Sequence, residues 1–149
     1  MTDGRDEPKG RVGLAGLVGR DWRIVGVLAG VSVLLQGWGL YRVAGPPTPQ
    51  WFPQADKLEH AAGFALPTVL VLLTLHVRSR AHGGQLSRRA IGWVVAAFGV
   101  HAVLSEIIQH VGYTTRTGDP VDVLADGTGT VVGALTAVAL LRRSRVAGR

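Results

Sequence analysis

Three short stretches gather side chains of the kinds that do chemistry: DKLEH at 56–60, SEIIQH at 105–110 and RTGDPVDVLAD at 116–126. Asp56 and His60 stand four apart, Glu106 is followed at three and four by Gln109 and His110, and Asp119, Asp122 and Asp126 are separated by three and then four. On an α-helix these intervals stack side chains on one face. His60 beside Glu106 or Asp122 would make a general acid–base pair. His60, Glu106, His110 and an aspartate would instead offer nitrogen and oxygen ligands to a metal ion. No H-E-x-x-H pattern is present, so such ligands would have to be gathered from three helices. Lys57 and Arg116 could hold a phosphate or carboxylate through charge-assisted bonds, with Asp122 and Glu106 orienting them.

The elements that must position these residues are apolar. Of 149 residues 47% are hydrophobic and 17% charged, against about 25% charged in an ordinary soluble domain. Four runs dominate, at 24–41, 61–77, 90–105 and 127–141. A membrane span needs roughly 20 residues, and the last three runs reach that length only by taking in the polar residues at one end. The first run is too long for the apolar part of a signal peptide and is followed by AGPPTP, so it reads as a retained span. The expected fold is therefore all-α: a polytopic bundle of four transmembrane helices in the lipid bilayer. With no cysteine, disulfides and thiolate metal sites are excluded. The net charge of +6 does not indicate nucleic acid, because the basic residues lie in short clusters between apolar runs.

Those clusters set an orientation. Five Lys/Arg precede the first run, four lie in 78–89, four lie in 142–149, and only Arg42, Lys57 and Arg116 fall on the other side. The positive-inside rule then places both termini in the cytoplasm, with a basic tail at 1–23, a transmembrane domain at 24–141 and a second basic tail at 142–149. Trp51 and Phe52 read as interfacial anchors on the outer side. Counting outward from the cytoplasmic arginines at about 1.5 Å per residue puts His60 at roughly 27 Å, Glu106 at roughly 26 Å and Asp126 at roughly 24 Å. Ionisable groups that deep must face one another, which predicts a charged pocket at the outer mouth of the bundle. Gly129 and Gly133 continue the stripe of Asp122 and Asp126 inward, at a spacing that lets helices approach closely. Asp119 and Asp122 also suit the role of caps for the fourth helix, and His101 reads as a packed polar side chain.

DKLEHAAGFALP, SEIIQ and RTGDPVDVLADGTGTVVGAL, in that order, resemble the VanZ-like family of small membrane proteins over roughly 24–141. Carried over by position, the family's pattern falls on Asp56, Lys57, His60, Glu106, Gln109, Arg116, Asp122, Gly129 and Gly133, and its usual asparagine is Asp126 here. The resemblance implies a multi-pass protein of the cell envelope, from a family named for a teicoplanin-resistance accessory protein, and supplies no mechanism. The expected function is recognition of a lipid-linked or cell-wall precursor, an anionic envelope ligand held by Asp56, Lys57, His60, Glu106, Gln109, Arg116, Asp122 and Asp126. A membrane-embedded enzyme using His60 with Glu106 or Asp122, and a structural or assembly factor, are the alternatives. Cofactor identity and oligomeric state, including a homo-oligomer, are left open.

Overall fold

The structure, a computed structural model, describes residues 22–41, 53–113 and 118–147. They form four helices: α1 (Trp22–Tyr41), α2 (Ala55–Ala81), α3 (Arg88–Gly112) and α4 (Pro120–Ala147). All four are long and apolar enough to cross a membrane, and among the described residues there is no strand. The helices overrun the apolar runs because each draws its polar flank into the same rod. Backbone groups in a bilayer must be satisfied within the segment, which favours continuing the helix through those flanks. The basic tails, Trp51, Phe52 and Arg116 lie outside the described residues, apart from Trp22, Arg23 and Arg142–Ala147.

The side-chain distribution is that of a membrane protein. Leu34, Trp93 and Val111 are 74%, 76% and 80% exposed, while Ser32, Thr68, Ser105 and Thr130 are buried. Lipid replaces water around such a bundle, so large apolar residues cost nothing outside and small residues let the helices meet. The buried hydroxyls satisfy themselves locally: Thr68 donates to the Phe64 carbonyl at 2.8 Å and Thr130 to that of Asp126 at 2.9 Å.

The closest seam joins α2 and α4. A Cβ added at Gly129 would fall onto the Ala61 carbonyl, and one at Gly133 would stand 2.5 Å from the Ala65 oxygen. Asp126, Thr130, Ala134 and Ala137 lie along the same buried stripe of α4. A smaller apolar cluster of Leu40, Phe64, Phe98 and Ala102 ties α1, α2 and α3 together, with the rings of Phe64 and Phe98 edge to face.

The contacts fix an up-and-down arrangement. The end of α1, the start of α2, the end of α3 and the start of α4 meet at one pole: Gln109 donates to the Leu40 carbonyl at 3.1 Å and Lys57 reaches Asp122. At the opposite pole the Arg23 and Arg78 guanidiniums lie 5.8 Å and 5.7 Å from the Trp22 ring, a cation–π arrangement suited to an interface. Ser87 caps α3 by accepting from the Ala90 N–H at 3.1 Å.

Candidate functional site

The polar pole is built from the first turns of α2 and α4 and the last turns of α3. Lys57 is its hub: the ammonium donates to Asp119 at 2.7 Å and to Asp122 at 2.5 Å and lies 3.2 Å from Asp56. Three carboxylates on one ammonium leave Lys57 committed to joining α2 to α4. Asp122 orients Lys57 as the sequence suggested, and Asp119 and Asp56 join it there. The physical reason is the α2–α4 seam, which sets the starts of both helices side by side. Asp119 also accepts from the Val121 N–H at 2.9 Å, so it is both a cap for α4 and a partner of Lys57. Lys57, then the Val121 N–H, holds the Asp119 carboxyl below the usual carboxylate range.

One turn deeper, His60, Glu106 and Asp126 converge from three helices. His60 Nδ1 stands 2.9 Å from Asp126 Oδ1, and Nε2 stands 3.7 Å from Asp122 Oδ2. With Asp126 ionised, Nδ1 must carry the proton in the first contact, because a carboxylate only accepts. Asp126 is 0% and Glu106 5% exposed. Glu106 Oε2 accepts from the Asp119 N–H at 2.8 Å, which requires the chain to cross the α3 backbone closely. Gly118 allows this: a Cβ there would lie 2.5 Å from the Glu106 carbonyl oxygen. Glu106 Oε1 and Asp126 Oδ2 have no hydrogen-bond partner among the described residues. One ligand atom from each of His60, Glu106 and Asp126 falls within 4.8 Å of the others.

The structure therefore brings together Asp56, Lys57, His60, Glu106, Asp122 and Asp126. Gln109 turns away from them, its amide spent on the Leu40 carbonyl, because at three residues beyond Glu106 it has rotated toward α1. Arg116 is outside the described residues. His110 is exposed, and His101 is 3.2 Å from the Tyr41 hydroxyl as a packed polar side chain.

Sequence reasoning gave no role to Gln36 or to the groove it lines. Between α1 and α2 runs a cavity of about 570 Å³. Leu28 and Leu70 line one end, and Gln36, Asp56, Glu59 and His60 line the other. The Gln36 side chain is buried, with neither amide atom partnered among the described residues. Pro67 also lines the groove and has no N–H to give the carbonyl of Gly63, another lining residue. The only signal for Gln36 in the sequence is its polarity inside an apolar run.

Chemically, the pole combines a His–carboxylate pair able to move a proton, buried carboxylate oxygens able to ligate a cation, and an adjoining groove that grades from polar to apolar. No protein-family model, curated protein or solved structure matches the chain.

Proposed function

We propose that this multi-pass protein acts in the cell envelope, as its VanZ-like resemblance implies, by taking an amphiphilic, lipid-linked molecule from the bilayer. The apolar chain lies in the α1–α2 groove and the headgroup rests at the polar pole. The observation that carries this reading is the gradient along the groove, from Leu28 and Leu70 to Gln36, Asp56 and His60. A lipid-linked precursor has the same gradient. The unpartnered Gln36 amide supports it further, since a buried amide left without bonds costs about 1–3 kcal/mol unless something supplies them. The basic asymmetry of the loops supports a polar pole at the outer leaflet, where cell-wall precursors would be within reach.

A catalytic version of the same reading rests on His60, which lines the groove while its Nδ1 contacts Asp126. It would serve as acid or base toward a bound headgroup.

Gly63→Leu tests the reading. Gly63 lines the groove and a Cβ there meets nothing within 4 Å, so added bulk has room to begin filling it. The variant should fold at least as well as the parent, since leucine is the better helix former. Native mass spectrometry of protein extracted from its own membranes should show a bound amphiphile on the parent and its loss on Gly63→Leu. The same bound complement on both proteins would refute the assignment.

A further inference from the structure

Among the described residues the polar pole has more negative charge than it can neutralise. Asp56, Asp119 and Asp122 surround a single ammonium, and deeper in, Asp126 meets the His60 imidazole while Glu106 accepts one backbone N–H. Burying one carboxylate without a partner is costly, and two near each other raise that cost. Yet Glu106 Oε1 and Asp126 Oδ2 are both buried and unbonded among the described residues. These two oxygens and the His60 imidazole come from α3, α4 and α2, so the convergence is a product of the fold and not of a local sequence cluster.

We infer that His60, Glu106 and Asp126 bind a divalent transition-metal ion, Zn²⁺ or Mn²⁺, at the head of the α1–α2 groove. One imidazole and two carboxylates are the donor set of an intermediate-to-hard ion; soft ions that demand thiolate find none in a chain without cysteine. The donor atoms lie within 4.8 Å of one another, and ligands held about 2.0–2.2 Å from such an ion stand somewhat closer than that. Rotation of the two carboxylates draws the set together. Two carboxylates and a neutral imidazole balance an ion of charge two. The Asp119 N–H, donating to Glu106 Oε2 at 2.8 Å, supplies the outer bond that orients a ligating carboxylate. Three protein ligands leave coordination positions for a further group. Since His60 also lines the groove, an anionic headgroup would fill the ion's open coordination positions, a contact that Lys57, already bound to three aspartates, does not offer. That contact rests on the amphiphile reading; the ion itself does not.

The test uses the full chain in detergent, freed of metal with a chelator and then offered Zn²⁺ or Mn²⁺ alone. Elemental analysis after dialysis should find about one ion per chain, and adding it back should raise the melting temperature. Asp126→Asn and Glu106→Gln should each lose the ion and the thermal response. Equal retention by the parent and both variants, or no retention by the parent, would overturn the site. Should the variants not fold, Mn²⁺ bound to the parent decides the matter by its electron spin resonance. Coupling to an imidazole nitrogen is the expected signature, and its absence rejects His60 as a ligand. Because no lipid enters this assay, a negative result leaves the groove assignment standing, and a bound ion with an empty groove leaves the metal assignment standing.

Discussion

Two glycines two residues apart on α4 should respond oppositely to the same change. Alanine is the better helix former by about 1 kcal/mol, so Gly→Ala inside a helix gains stability where there is room. At Gly127 a new Cβ meets nothing within 4 Å, and Gly127→Ala should be neutral or stabilising by up to about 1 kcal/mol. At Gly129 the Cβ lands on the Ala61 carbonyl, with the Ala61 Cα at 2.8 Å. These are backbone atoms and cannot rotate away, so α2 and α4 must part. Overpacking of this kind costs about 1–3 kcal/mol, which places Gly129→Ala below Gly127→Ala by about that amount. Parting the seam also stretches the 2.9 Å contact of His60 with Asp126, one turn away, so Gly129→Ala should weaken the site as well as the fold. Reversible unfolding of the purified protein in mixed micelles measures the difference. If Gly129→Ala proves as stable as Gly127→Ala, the close seam is wrong and so is the position it gives to Asp126.

Two more outcomes are expected. A reporter active only outside the membrane should be silent when fused after Arg149 and active when inserted near Thr48; the reverse would place the polar pole in the cytoplasm. The Asp119 carboxyl is held below its ordinary value of 3.8 by Lys57, so its contribution to stability is full above that value and is lost as pH falls through the lower folded-state value. Melting curves of parent and Asp119→Asn should therefore differ by a constant amount from neutral pH down to about 4 and converge below it. A gap that widens in acid would reject the Lys57–Asp119 pairing.

The four spans were legible because a bilayer imposes one length and one composition on anything that crosses it. His60, Glu106 and Asp126 were legible for a related reason. The arginines at the other pole act as rulers, and three rulers gave nearly one depth. Depth is only one coordinate. Rotation about each helix axis is set by packing, and no count along the chain reports it. Gln109 therefore fell among the site candidates although its amide serves Leu40. Lys57 posed the same difficulty in another form: an orienting Asp122 was plain, but the gathering of three aspartates on one ammonium depended on a seam set by Gly129 and Gly133. The groove was illegible altogether, since it belongs to the gap between α1 and α2 and to neither sequence alone.

The three aspartates on Lys57 also bear on how the bundle is born. A lone lysine or aspartate at a membrane-inserted position costs roughly 2.5–3.5 kcal/mol near the middle of a span, and less toward its ends. When α2 leaves the ribosome its Lys57 has only Asp56 beside it, because Asp119 and Asp122 belong to the last of the four helices. Until α4 arrives, α2 carries an underpaired ammonium and an imidazole without its carboxylate. A chain halted after the third helix thus exposes polarity that the complete bundle covers. Arrival of the fourth helix pairs the ammonium and the imidazole in one event, so closing the polar pole and completing the bundle are the same step.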